Sequence, residues 1–245
     1  MPYRKDQFAT GDIYHINSKA IDKNLLFKDV NDYFRGIYSI YEFNNANPVN
    51  IFNRRRDRAV EKQLEKLCEG GTHTNLQLDQ RNRFVDVLAF CFMPNHIHLL
   101  LKQIKDGGII KFMSKVGGGY GRYFNKKYER KGYVFQDRFQ SVHIKNDNQF
   151  MATTSYIFTN PIALIEPGWK ELGIRNHTIK EVEGFLVKYK WSSYQDCIGI
   201  KNFSSVTERG FLLEMMGGVE GLKGVVKDWI EYKKDVAEYS ELFLE

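Results

Sequence analysis

The chain has 245 residues, of which 42% are hydrophobic, and it carries a formal net charge of +6. This composition excludes a globally disordered chain, and the mild positive charge is by itself only a weak indication of a polyanionic partner. Three well-separated cysteines exclude a CxxC zinc site, and no apolar stretch is long enough for a signal peptide or a membrane span. We therefore expect a cytoplasmic protein that does not enter a membrane.

The first part of the chain predicts a strand, a helix and a long connection. Residues 13–20 predict the strand, and apolar residues at helical spacing over 29–43 predict a helix with Asp29 as its N-cap. Residues 44–80 form an elaborated connection that includes one short helix and the basic run NRRRDR. We expect this connection to be mobile or to dock onto a ligand.

A β-hairpin is predicted next. Residues 85–92 and 96–102 are two apolar runs, and the residues between them, Met-Pro-Asn, predict a tight turn. Side chains alternate along a strand, so His96 and His98 point to one face of the returning strand. Two imidazoles in this arrangement can hold one divalent ion, provided that a third ligand exists. The alternative is a pair of polar residues on the exposed face of a half-covered sheet.

The following residues complete the predicted core. Residues 107–127 look helical but are interrupted by three consecutive glycines, residues 133–144 predict a fourth strand, and residues 147–165 predict a helix that bends or ends near Pro161. The element order is β-α-β-β-α-β-α. We therefore predict an α+β protein with a ferredoxin-like split βαβ core, an antiparallel sheet and a helical C-terminal extension.

The distribution of charge agrees with a division of the chain into two parts. Residues 102–145 hold eleven Lys and Arg against three Asp and Glu, whereas residues 207–245 hold five against nine. We predict a catalytic domain over residues 1–167 and a mostly helical extension over residues 168–245. A basic middle of this kind attracts polyanions, and the acidic tail does not.

The segment SYIFTNP contributes two further candidates. Tyr156 and Asn160 are four residues apart, a spacing that places them on one face of a helix. Asn160 offers an amide oxygen to a hard cation, and its position before Pro161 predicts a bend there. Tyr156 offers a hydroxyl, although a lone tyrosine is more often a packing or surface residue.

Taken together, these motifs resemble a known family. The His-hydrophobe-His motif in MPNHIHLLLK, the stretch YFNKKYERKGYVFQDRF and the segment YIFTNP are similar to those of single-tyrosine HUH transposases. The nearest group is that of the REP-associated tyrosine transposases, relatives of the small insertion-sequence transposases. The resemblance runs over residues 13–167 and extends weakly to KWSSYQDCIG at 190–199. It implies an enzyme that cuts and rejoins single-stranded DNA beside short hairpins.

The resemblance also implies a site. His96 and His98 would hold a divalent ion, Mg²⁺ or Mn²⁺, with Asn160 as the third ligand. Tyr156 would be the nucleophile, and its 5′-phosphotyrosine ester would keep the bond energy that rejoining needs. Lys19 stands where the family often has an arginine, so a basic contact would remain without bidentate geometry.

Basic residues supply the expected contacts with DNA phosphates. Tyr120, Phe124 and Tyr128 lie among them at a spacing of four, which favours the core over base stacking. His15 and His143 are expected to be hydrogen-bonded scaffold residues. The alternative for the four arginines of the NRRRDR run is a solvated loop, and for Arg138 it is a structural ion pair. The expected DNA contacts are Lys19, Arg54, Arg55, Arg56, Arg58, Arg122, Lys126, Lys127, Arg130, Lys131 and Arg138.

Three functions are compatible with these motifs. The first is a transposase, the second is an HUH nickase of replication-initiator or conjugative type, and the third is a domesticated protein that binds DNA hairpins without turnover. The complete set of two histidines, tyrosine and asparagine argues against the third, and the YIFTNP segment argues against the second. The sequence leaves open whether the protein is a monomer or a homodimer, and whether the extension packs on the sheet, mediates dimerisation or binds a hairpin.

Overall fold

The computed structural model of the chain describes residues 7–50, 56, 81–136 and 138–231. Most of the predicted connection over residues 44–80 therefore lies outside the described residues, as do Arg54, Arg55 and Arg58. Within the described ranges, no helix is both long enough and apolar enough to cross a membrane.

A four-stranded antiparallel sheet forms the centre of the protein, in the order β2-β3-β1-β4. β1 pairs with both β3 and β4, and β2 and β3 form the predicted hairpin. Because β3 lies between β1 and β2, this is the predicted ferredoxin-like split βαβ arrangement. The strands are β1 (Ile13–Lys19), β2 (Val85–Met93), β3 (His96–Gln103) and β4 (Gln140–Ile144).

Eight α-helices accompany the sheet in the described part of the chain. Each of the two short 3-10 helices, Ile21–Lys23 and Asn160–Leu164, directly follows an element that carries a candidate site residue. The α-helices are α1 (Val30–Glu42), α2 (Gly108–Lys127), α3 (Asp147–Thr159), α4 (Trp169–Leu172), α5 (Ile179–Lys188), α6 (Tyr194–Cys197), α7 (Arg209–Met215) and α8 (Gly218–Glu231).

Helices cover both faces of the sheet. On one face, α1 and α2 pack on Ile16 and Leu99 in the first hydrophobic core. On the other face, α3 and the C-terminal helices pack on Leu100 in a second core that also contains Trp169. The half-covered sheet that was the alternative for the histidine pair is therefore wrong, because His98 on the second face is 0% exposed.

Two element boundaries lie where the sequence predicts them, one fixed by a cap and the other by a proline. Asp29 caps α1, since its side chain accepts hydrogen bonds from the backbone N–H groups of Asn31 and Asp32. The predicted bend before Pro161 is also present: α3 ends at Thr159 and the chain continues as a 3-10 helix from Asn160. Both predictions are confirmed.

Two other predictions about elements are wrong. The glycines 117–119 do not interrupt α2, which continues to Lys127. The ring of Phe43 lies where a Cβ of Gly119 would stand, so this glycine lets α1 and α2 approach each other. The fourth strand is shorter than predicted, because only Gln140–Ile144 pairs with β1, while an isolated bridge joins Phe135 to Ala20.

Candidate active site and nucleic-acid interface

The two histidines of the hairpin lie together at the start of β3. Residues outside the hairpin hold the turn before them in place, since the Pro94 carbonyl accepts hydrogen bonds from the backbone N–H groups of Leu26 and Phe27. The ring of His96 contacts the side chain of Asn95, with 2.7 Å between Nδ1 and Oδ1. The ring centroids of His96 and His98 are 4.8 Å apart. The side-chain alternation predicted from the sequence therefore brings both rings to one face.

A third histidine supports the pair from the neighbouring strand. His15 on β1 is fully buried, and its Nε2 lies 2.9 Å from Nδ1 of His98. The other ring nitrogen of His98, Nε2, is buried and makes no hydrogen bond with any residue in the described ranges. If His98 Nδ1–H donates to His15, the lone pair of His98 Nε2 is available to a ligand. The prediction that His15 is a hydrogen-bonded residue is confirmed.

Both candidate ligands are neutral at pH 7. Burial is the main cause that lowers the pKa of His96 to about 4, and the positive charges of Lys170 and Lys19 add to it. The pKa of His98 lies well below its ordinary value for the same main reason. A neutral imidazole is the form that binds metal ions, so burial keeps this pair ready to bind a cation at physiological pH.

Tyr156 on α3 and Asn160, the first residue of the 3-10 helix after it, meet the histidines. The Tyr156 ring is 3% exposed, and its centroid lies 5.4 Å from that of His98. The Asn160 side chain hydrogen-bonds both His96 and the Tyr156 side chain, and its Nδ2 also donates to the Tyr156 carbonyl at 3.2 Å. The structure thus brings together all four residues that the sequence proposed for the site.

The environment of Tyr156 disfavours a phenolate. Burial raises the pKa of Tyr156 well above its ordinary value, and the hydrogen bond with Asn160 only partly opposes this effect. A nucleophilic role for this hydroxyl therefore requires nearby positive charge at the moment of reaction.

The donor set fits a hard divalent ion with mixed ligands. No cluster of three His, Cys, Asp or Glu able to hold a metal exists among the residues that the structure describes. Two neutral imidazoles and one amide oxygen, His96, His98 and Asn160, are nevertheless brought to one place, and the buried Nε2 of His98 lacks a partner in the described ranges. The carbonyl oxygen suits Mg²⁺ or Mn²⁺, and the two imidazoles favour Mn²⁺ of these two ions.

One further residue of this site, Lys170 on α4, belongs to none of the sequence motifs. Its Nζ donates to the Tyr156 hydroxyl at 3.4 Å and lies 4.8 Å from the centroid of the same ring. Burial is the main cause that lowers the pKa of Lys170 to about 8. It lies after the YIFTNP segment, and only the tertiary fold of the turn between them brings its side chain back to Tyr156.

The basic residues fall into different environments. Arg56, Arg122, Lys126, Lys131 and Arg138 are exposed, and Arg138 precedes β4 instead of lying on the strand as predicted. Half-buried Arg130 lies 5.5 Å from the Phe124 ring centroid, and Lys19 lies opposite His96 in the β1–β3 ladder.

Lys127 differs from the other residues expected to contact DNA, because it has a structural role. Its Nζ lies 2.6 Å from an Asp29 oxygen and 2.7 Å from an Asp32 oxygen. The Asp32 side chain is 0% exposed, and it also accepts hydrogen bonds from the hydroxyls of Tyr123 and Tyr128. An ammonium held by two carboxylates has little charge left to offer a phosphate.

The aromatic side chains of α2 lie mainly in the core. Tyr120 and Phe124 are buried, and Tyr128 packs against the same cluster, which confirms the prediction from their spacing. Beside them, a groove of about 540 Å³ lies between α2 and residues 132–136 with Phe139, and it is lined by Gly118, Arg122 and Tyr133 among others. Tyr133 is 81% exposed at this groove, so it is better placed than the α2 aromatics to meet an unpaired base.

Comparison with known proteins identifies the segment that carries these motifs. Residues 49–160 match the model of the family described as "Transposase IS200 like". The match includes His96, His98, Tyr156 and Asn160, and it confirms the resemblance predicted from the motifs. No curated protein matches the chain.

Solved structures provide a further similarity. A REP-associated tyrosine transposase bound to a REP hairpin is similar to this chain, with a TM-score of 0.49 and 12% sequence identity. The alignment covers 83% of this chain and 90% of that one.

Proposed function

We propose, from the premise that residues 49–160 carry IS200-like transposase sequence, that the protein is a metal-dependent transesterase that cleaves and rejoins single-stranded DNA. The observation that carries the proposal is the buried Nε2 of His98, which has no hydrogen-bond partner in the described ranges and lies beside His96 and the Tyr156 ring. A buried imidazole nitrogen without a partner is costly unless a ligand satisfies it.

The proposed roles of the side chains follow from their chemistry. His96, His98 and Asn160 would hold Mg²⁺ or Mn²⁺, which when bound supplies charge neutralisation for a scissile phosphate. The Tyr156 hydroxyl attacks the phosphorus, so that an O–P bond to tyrosine forms and the P–O3′ bond breaks. The phenol proton passes to water and the 3′ oxygen takes up a proton from water. Rejoining is the reverse, and it needs no nucleotide cofactor because the phosphotyrosine ester keeps the bond energy.

Single-stranded DNA near a hairpin is the proposed substrate. The resemblance to REP-associated transposases suggests the hairpin, and the exposed basic residues Arg122, Lys126 and Lys131 support contacts with the backbone. Arg56 and Arg138 are exposed as well, and Lys19 and Arg130 are half-buried, so these four stay in the proposed set.

Two alternatives share the same site. An HUH nickase of replication-initiator type would cleave without joining two element ends, and a domesticated hairpin-binding protein would bind without cleaving. The presence of both a candidate nucleophile and a candidate metal site favours a protein with turnover. We also propose a cytoplasmic location, which agrees with the two described cysteines, Cys91 and Cys197, being unpaired.

The test uses single-stranded oligonucleotides that carry the palindromes flanking the gene. With Mn²⁺ or Mg²⁺ present, the protein should cleave them, and a chelator should stop cleavage while DNA binding persists. The variants His96→Ala and His98→Ala should bind the oligonucleotide and fail to cleave it. Cleavage at the normal rate by a folded double variant would contradict the metal site, and cleavage that ignores the chelator would contradict the requirement for a metal ion.

A further inference from the structure

We propose that Lys170 is a catalytic residue, whose ammonium group stabilises the negative charge on the Tyr156 oxygen during cleavage and rejoining. The inference rests on the proposed function, and it adds a residue that lies beyond the segment matched by the family. Its main support is the distance of 3.4 Å between Lys170 Nζ and the Tyr156 hydroxyl oxygen, which is the reacting atom.

The loop that delivers Lys170 is held in place by buried anchors. Trp169, its neighbour on α4, is 1% exposed in the core beneath the sheet. Glu166, also 1% exposed, accepts hydrogen bonds from the backbone and side chain of Asn176 and contacts the His177 ring at 2.9 Å. These contacts join the residues before α4 to those after it. They therefore hold Lys170 in its position over the Tyr156 ring.

The reaction needs positive charge at this position. The Tyr156 side chain is 3% exposed, so negative charge that develops on its oxygen gains little stabilisation from solvent water. As the O–P bond forms and the P–O3′ bond breaks, the phenol proton leaves to water and the oxygen carries partial negative charge. An ammonium in contact with that oxygen stabilises the charge more strongly than it would in water, because the site is largely closed to solvent.

Lys170 carries this charge at neutral pH. Its pKa is lowered to about 8, mainly by burial, so the ammonium form still dominates at pH 7. The charged or titratable groups that act on it are Glu171 on its own helix, Cys91 on β2, and Lys19 at the end of β1, with His96 and His98 facing it from β3. Both of these histidines are neutral at pH 7, so they do not repel the ammonium.

The experiment compares Lys170→Met with Lys180→Met, which removes the same charge from an exposed position on α5. With the palindromic oligonucleotide and Mn²⁺, Lys170→Met should bind DNA normally and cleave about 100-fold more slowly, the scale of losing one charge-stabilising donor. Lys180→Met should cleave at the normal rate. Lys170→Arg keeps the positive charge and should cleave faster than Lys170→Met.

The pH dependence of cleavage is a second readout. The ratio of the cleavage rate of the unmodified protein to that of Lys170→Met should fall as the pH rises through about 8, because Lys170 then loses its proton, whereas the ratio to Lys180→Met should stay near one. A ratio that does not change with pH, or normal cleavage by Lys170→Met while Tyr156→Phe is inactive, would overturn the role of Lys170 alone. If Tyr156→Phe also cleaves normally, the proposed function itself fails.

Discussion

His15 Nε2 lies 2.9 Å from His98 Nδ1, and this contact joins two buried residues that are 83 positions apart in the sequence. The two rings lie on adjacent strands, with centroids 5.1 Å apart. A hydrogen bond to one imidazole nitrogen decides which tautomer is present and where the other nitrogen points. His15 is therefore placed to orient His98 toward the proposed metal ion.

Replacing His15 should weaken the binding of a metal ion. His15→Leu removes the hydrogen bond to His98, so we expect the Mn²⁺ affinity to fall by about 10–100-fold, as for other partners of metal ligands. His15→Gln keeps a side-chain oxygen that can accept from Nδ1–H and should retain more of the affinity. The signal of unbound Mn²⁺ in electron paramagnetic resonance measures this. Equal affinity in His15→Leu and the unmodified protein would contradict the role of His15.

Much of the site could be predicted from the sequence because its parts are local. The two histidines share a face through strand alternation, and Tyr156 and Asn160 share one through helical spacing. Even the break at Asn160 follows from the proline after it.

The remaining parts depend on contacts between distant positions. Lys127 meets Asp29 across 98 positions, and no local pattern distinguishes it from the exposed Lys126 beside it. Lys170 is only 14 positions from Tyr156, but a turn and the anchors of Glu166 and Trp169 are needed to fold it back. The burial of His98 likewise depends on the helices that cover the second face of the sheet.

The buried histidines should make stability depend on pH. The pKa of His96 is about 4 in the folded state against 6.5 ordinarily, and that of His98 is also depressed. The unfolded chain therefore binds more protons in this window, so the stabilisation is complete above pH 6.5 and is lost as the pH falls toward about 4. With a chelator present, the melting temperature should fall over this range, and it should fall less in a His96→Gln, His98→Gln double variant. Parallel curves for the two proteins would contradict this assignment.

Two adjacent glycines of α2 should respond oppositely to the same change. Among the described residues, no atom lies within 4 Å of the position that a Cβ of Gly118 would occupy, so Gly118→Ala should stabilise the protein by about 1 kcal/mol through helix propensity. At Gly119 the same methyl group would meet the Phe43 ring, so Gly119→Ala should destabilise it by roughly 1–3 kcal/mol. Urea unfolding of both variants measures the difference. A destabilised Gly118→Ala or a stabilised Gly119→Ala would show that the packing of α1 on α2 is not as described.

Two adjacent lysines should separate stability from DNA binding. Lys127→Met leaves the buried Asp32 without its cation, so we expect a loss of about 1–3 kcal/mol in the free energy of unfolding. Lys126→Met should leave stability unchanged, weaken binding to single-stranded DNA, and reduce the slope of log K against log salt by roughly 0.7. Unfolding curves and salt titrations give the two quantities. If Lys126→Met leaves both affinity and slope unchanged, its side chain is solvated surface.

The central claim is that Tyr156 forms the covalent bond to DNA, and peptide mapping of the trapped adduct by mass spectrometry tests it most directly. The expected result is a DNA fragment attached through its 5′ phosphate to Tyr156. Tyr156→Phe keeps the packed ring, so this variant should fold and bind DNA normally while forming no adduct. An adduct on Tyr128 or Tyr133, or an undiminished adduct in Tyr156→Phe, would contradict the claim and remove the roles given to Asn160 and Lys170.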